Sequence, residues 1–121
     1  MNLKLIDCNF SVCKINFTAE IPYQDPFVFV GKTNGELSLV CSTASVPDTC
    51  IVREDGWRGF RVDGSLEFSL IGILSKITGI LAENQISVFV VSTFDTDYVL
   101  LKTEQLERAK ECLENSGYRF V

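Results

Sequence analysis

Apolar residues recur every three to four positions from Leu70 onward: Leu70, Ile73, Leu74, Ile77, Ile80 and Leu81. That period lays them in one stripe and predicts a helix of about four turns, with Ser69 as its N-cap. The pattern changes on both sides. Upstream, residues 57–62 mix aromatic and β-branched positions and end at Asp63-Gly64, a turn pair, so they read as a strand. Downstream, residues 86–91 form a short β-branched and aromatic run, too short for a helix and typical of a buried strand. Residues 94–97 read as its turn and 98–101 as the return strand. Leu106, Ala109 and Leu113, with Cys112 beside them, mark the apolar face of a second helix. Thr103 is its expected cap, Glu104 lies in the first turn where negative charge is favoured, and Gly117 is the expected stop. Residues 118–121 supply a last strand. The order β-α-β-β-α-β is the split βαβ, ferredoxin-like arrangement, an α+β fold. Right-handed crossovers place both helices on one face of its sheet.

The first half has almost no helical period. Residues 3–6, 10–15, 27–30, 37–42 and 50–53 read as strands, and Asn34-Gly35 between two apolar runs is the strongest hairpin signal in the chain. Pro22, Pro26 and Pro47 fall where a ferredoxin-like unit carries its helices, which predicts that those helices are short or lost. Laying residues 27–30 over 88–91 also brings Leu39-Val40 over Leu100-Leu101 and Glu36 over Asp97. The halves therefore read as related units, 1–56 degenerate and strand-rich and 57–121 complete. The acidic turn Arg53-Glu54-Asp55-Gly56 lies between them with no flexible linker, and the expectation is two units packed as one compact domain.

Composition narrows the chemistry. The 121 residues include no histidine, which removes Ser-His-Asp triads, Cys-His dyads and His-ligated zinc. The net charge is −5, with 4 basic and 7 acidic side chains in residues 1–56 and 7 and 9 in the rest. No basic stripe is present, so nucleic acid is not an expected partner. No wholly apolar run exceeds the four residues of 88–91, far short of the ~20 a membrane span requires. The N-terminal residues lack a signal-peptide pattern, so the expected location is cytoplasmic. Five cysteines are an odd number and contain no C-x-x-C pair. Cys8, Cys13 and Cys41 lie in apolar runs, and reduced core thiols are expected rather than disulfides or a metal framework. No cofactor is implied.

Two segments are more polar than their structural role demands. The first is the strand-to-helix loop 63–72. With Ser69 as N-cap, Gly72 falls at the third helical position, where glycine costs about 1 kcal/mol relative to alanine. Tight packing of helix on sheet and close approach by an anionic ligand group both account for it. The second is the hairpin 92–98. Its hydroxyls and carboxylates serve as turn formers, and Asp95 and Asp97 equally suit an ammonium or guanidinium partner. No partner nucleophile or metal-ligand spacing accompanies them, so a catalytic carboxylate pair is disfavoured.

Three stretches carry a family resemblance: residues 57–64, Phe68-Ser69-Leu70-Ile71-Gly72-Ile73-Leu74, and 86–98 with its Ser-Thr-Phe-Asp-Thr-Asp-Tyr segment. Together they resemble the small ACT-domain proteins, related to the regulatory domains of aspartate kinase and to the animal cytosolic arginine sensor. The likeness continues upstream through residues 10–14 and 36–41, so it covers most of the chain as two ACT-like units. It implies a non-catalytic regulatory module that binds an amino acid between units and assembles as a homo-oligomer, or else a ligand-free interaction module. Carried over by position, Gly72 and Ile73 offer N–H groups to the ligand carboxylate. Thr93 and Phe94 supply wall and backbone contacts, and Asp97 faces a cationic group. One position departs from the arginine sensor, which has an acid two residues before the loop glycine where this chain has Leu70.

Overall fold

The computed structural model describes residues 1–63 and 72–121. Its elements are β1 (Asn2–Ile15), β2 (Val28–Lys32), β3 (Leu37–Ser42), β4 (Val52–Val62), α1 (Ile73–Glu83), β5 (Phe89–Ser92), β6 (Asp97–Lys102), α2 (Leu106–Asn115) and β7 (Arg119–Phe120). The chain divides into two units, residues 8–57 and residues 1–7 with 58–121. β1 and β4 each run from one unit into the other.

In the unit of residues 1–7 and 58–121 the order β4-α1-β5-β6-α2-β7 is the expected βαββαβ. The strands lie β7-β1-β4-β6-β5, with β7 parallel to β1 and β5 antiparallel to β6. The N-terminal part of β1 thus occupies a place between the first and last strands of the ferredoxin-like unit. The core is formed by Leu3, Phe60, Val62, Ile77, Leu81, Ile86, Val99, Leu101, Leu106, Ala109 and Leu113. Both predicted helical stripes enter it: Ile77 and Leu81 are buried, Ile73, Leu74 and Ile80 pack at its margin, and Leu106, Ala109 and Leu113 are the buried residues of α2. Leu70, the first residue of the predicted stripe, and Ser69, the expected cap, lie outside the described residues.

Gly59 in β4 is held by contact rather than by backbone conformation. A Cβ there would meet the Cδ2 of Leu100 and lie 2.7 Å from the carbonyl oxygen of Val99, so β4 and β6 approach as only glycine permits. Both helices end in Schellman turns. After α2, Tyr118 N–H bonds to Leu113 O at 3.1 Å and Gly117 N–H to Glu114 O at 3.0 Å, with Gly117 at φ +97°. After α1, Ile86 N–H bonds to Leu81 O at 2.9 Å and Gln85 N–H to Ala82 O at 3.0 Å, but here Gln85 takes the left-handed position at φ +60°.

In the unit of residues 8–57 the strand order is β2-β3-β1-β4, the ferredoxin-like order with no α-helix present. The Asn34-Gly35 hairpin joins β2 to β3, in register from Val28 opposite Cys41 to Lys32 opposite Leu37. Only the 3-10 turn Thr43–Ser45 stands where the second helix would be. Cys13, Ile15, Leu37, Leu39 and Cys41 form the apolar centre, covered by Ala19, Ile21, Val46 and Cys50 from the connecting segments and by Val28 of β2. All five cysteines are free. Burial pushes the Cys13 thiol up to about 11 and the Cys41 thiol up to about 12, which makes both inert.

Three expectations need correction. Residues 3–6 and 10–15 are one continuous strand, because β1 pairs with β7 at Asn2–Leu3 and with β3 from Phe10 to Ile15. The expected strands 50–53 and 57–62 likewise merge into one strand, which starts at Val52, and the acidic turn between them is strand. Gly56, at φ +87°, takes a left-handed step within β4, and Asp55 accepts hydrogen bonds from Ser11 Oγ and from Arg53 Nε. Thr103 opens a 3-10 turn, Thr103–Gln105, and makes no side-chain cap to α2.

Asp25 gathers the segment ahead of β2. Its carboxylate accepts the N–H of Phe27 at 2.9 Å, the N–H of Ser42 at 3.2 Å and the Ser42 hydroxyl. Burial raises its pKa, but these bonds and one from Ser45 outweigh that and hold it below the usual value. A depressed carboxyl adds stability above its unfolded pKa of about 3.9 and loses it as pH falls through the folded value. Asp25→Asn should therefore cost about 2 kcal/mol at pH 7, and urea titrations should show the gap to the parent closing below about pH 4. Gly59→Ala should destabilise by about 2–3 kcal/mol, since backbone lies in the way. Gln85→Gly should stabilise by about 0.5–1 kcal/mol by relieving the left-handed position; the same titrations check both.

Candidate functional site

Gly72 is the N-cap of α1, not its third helical residue, and adopts φ +79° and ψ +8°. Among the described residues an added Cβ would meet nothing within 4 Å. The left-handed conformation by itself accounts for glycine here. The helix begins where Lys76 N–H bonds to Gly72 O at 2.9 Å. Among the described residues no side chain caps this end and no acid lies in the first turn, and the helix end carries a partial positive charge. Ile73 is half-buried at the margin of the core, which fixes the direction of this helix end.

The β5–β6 hairpin closes with Ser92 opposite Asp97 and turns through residues 93–96. Thr93 N–H bonds to Thr96 O at 2.9 Å. The Thr93 hydroxyl donates to the same carbonyl at 3.0 Å and accepts Thr96 N–H at 3.4 Å. Thr93 thus has its hydroxyl committed to the turn. Phe94, 82% exposed, stands at the tip. Asp97, half-buried, is the first residue of β6.

Thr96, which sequence reasoning treated only as a turn former, is the anchor. It is buried, and its hydroxyl donates to Val62 O at 2.9 Å. Arg61 Nη1 reaches the same carbonyl at 3.4 Å and pairs with Asp63 at 3.3 Å. The hairpin is therefore fastened to the end of β4. A β-branched polar residue between two aspartates, spaced by twos from Tyr98 and Leu100, was the one available signal.

The structure thus brings Thr93, Phe94 and Asp97 together on one turn and Gly72 and Ile73 together at one helix end. Both groups belong to the unit of residues 1–7 and 58–121. The donors are backbone N–H groups and the acceptor is a carboxylate, a set suited to the charged ends of a small molecule. Among the described residues no cluster of Cys, Asp and Glu is placed to hold a metal ion. No helix among them is long and apolar enough to cross a membrane.

Comparison with known proteins agrees with this architecture. Protein Atu0741 from Agobacterium tumefaciens is similar over 99% of this chain and 91% of its own, at 30% identity and a TM-score of 0.86. The ligand-free regulatory subunit of aspartate kinase from Thermus thermophilus shares the fold over 97% of this chain and 98% of its own, at 9% identity and a TM-score of 0.66. Aspartate kinase from Synechocystis does so over 99% of this chain and 27% of its own, at 11% identity and a TM-score of 0.65. No curated protein matches. The family model described as "ACT domain" matches residues 52–115, from the start of β4 to the end of α2, and the chain belongs to the ACT-domain family.

Proposed function

We propose that this protein is a non-catalytic regulatory module that binds an amino acid. Occupancy would be passed on through contact with a second copy or a partner protein. The observation that carries this reading is the start of α1 at Gly72, which no described side chain caps, together with the hairpin that Thr96 fastens to Val62 at the end of β4. A helix end without a side-chain cap or a first-turn acid attracts a carboxylate, so the N–H groups at Gly72 and Ile73 suit the α-carboxylate. Asp97 suits the α-ammonium or a cationic side chain, and Phe94 offers an aromatic wall. The likeness to aspartate kinase regulatory chains supports the same direction at the level of fold.

A second reading, an interaction module without a small ligand, draws on the 82% exposure of Phe94 at a hairpin tip. An aromatic residue so placed serves as an anchor for a partner surface.

A thermal-shift screen against the twenty amino acids separates the two. Under the first reading one amino acid, at 100 times its dissociation constant, stabilises the protein by about 2.7 kcal/mol. Asp97→Ala should abolish that shift while the unliganded midpoint stays within about 0.5 kcal/mol of the parent. A folded sample that responds to none of the twenty would leave only the interaction module.

A further inference from the structure

A cavity of about 320 Å³ opens in the unit of residues 1–7 and 58–121, walled by Met1, Ile73, Lys76, Ser116, Gly117 and Tyr118. Its volume falls at the lower end of small-molecule sites. One wall is the start of α1; the other is the Schellman reversal after α2, where left-handed Gly117 turns the chain and Tyr118 N–H bonds back to Leu113 O. Ile73, packed on the core, gives the cavity a fixed apolar surface, and Met1 adds a second one.

Lys76 is, among the described residues, the one charged side chain lining this space. Among the described residues it forms no ion pair, in a chain whose net charge is −5. Helix electrostatics do not account for it, since a cation is disfavoured close to a helix N-terminus. The hydroxyl of Ser116 already donates to Cys112 O at 3.1 Å, so it does not supply a donor here. Among the described side chains of the lining, that leaves the Lys76 ammonium and the Tyr118 phenol as donors to an anion.

We propose that this cavity binds a small organic carboxylate with a short branched aliphatic tail. The carboxylate would sit on Lys76 and Tyr118, and the tail against Ile73 and Met1. This goes beyond the amino-acid reading, because Asp97 and the β5–β6 turn take no part in it.

The test is an NMR titration of the isotopically labelled protein with 4-methylpentanoate, with leucine as an arm carrying an α-ammonium and 3-methylbutylamine as a cationic arm. Saturable shifts of Ile73, Lys76, Gly117 and Tyr118 with the carboxylate, absent with the amine, are expected. Lys76→Glu and the milder Lys76→Gln should each weaken binding at least tenfold, and Lys76 is exposed, so both should fold. Leucine shifting the same residues would keep the site and widen its class to α-amino acids. No saturable shift, equal response to the amine, or unchanged affinity in both Lys76 variants would overturn the proposal. The same titration in Asp97→Ala separates the two sites. Shifts that persist belong to the cavity, and their loss would move the carboxylate to the hairpin site and overturn the cavity.

Discussion

Gly59 lets β4 lie against β6 more closely than any side chain allows, with Leu100 filling the space a Cβ would take. The neighbouring residues Phe60 and Val62 are fully buried and belong to the core with Val99 and Leu101. The same strand pair that builds this core also sets the far end of β4, where Val62 O receives the buried Thr96 hydroxyl. A wider spacing between the strands would disturb the packing around Leu100 and that hydrogen bond together. Core geometry and the placement of the candidate site are consequently one constraint, beginning at a single glycine.

The unit of residues 8–57 solves a different problem. Ferredoxin-like sheets bury one face under helices, and here proline-punctuated segments replace both of them. Polar fastenings take over part of the helices' role. Asp25 collects two backbone N–H groups and a hydroxyl. Ser11, fully buried, donates to Asp55 and pairs with the Thr43 hydroxyl at 2.9 Å. Burying a hydroxyl without a partner would cost about 1–3 kcal/mol, so such a group is kept only where its bonds are complete. The depressed carboxyls Asp25 and Asp55 and the raised thiols Cys13 and Cys41 all lie in these fastenings or in the apolar centre beside them. Perturbed titration, often a sign of an active site, here follows from structural hydrogen bonds and burial.

Much of this was legible from periodicity. The α1 and α2 stripes, the Asn34-Gly35 hairpin and the β5–β6 return follow from spacing alone, because each buries one face against one core. What sequence patterns hid were the places where the pattern changes phase inside a single element. In β1 the buried positions run 3, 6, 10, 11, 13 and 15, so alternation slips at Phe10-Ser11 and the polar Asp7-Cys8-Asn9 stretch imitates a turn. In β4 residues 52–56 are all exposed and acidic in part, and Gly56 completes the appearance of a loop. Gly72 was misplaced for a related reason. Ser69 has the better capping side chain, whereas the helix begins at a left-handed glycine whose backbone angles leave no mark on the periodicity. The site residues divide similarly. Gly72, Ile73, Thr93, Phe94 and Asp97 came from the family resemblance. The partner of Thr96 is a backbone carbonyl, which has no sequence identity to read.

The chemistry available to the candidate site follows from what the turn has already used. Thr93 spends its hydroxyl on Thr96, and Thr96 spends its own on Val62, so neither is left to act as a nucleophile. With histidine absent from the whole chain, no imidazole stands by to activate one. The groups on which the proposed reading relies are the first-turn N–H groups of α1, the carboxylate of Asp97 and the aromatic face of Phe94. Together they present a partial positive charge, a carboxylate and an apolar surface. An arrangement of that kind discriminates among ligands by the placement of their charges and the shape between them. In the proposed site, selectivity would depend on where the helix end and the hairpin stand, and the Gly59 contact and the Thr96 bond fix the hairpin strands against β4.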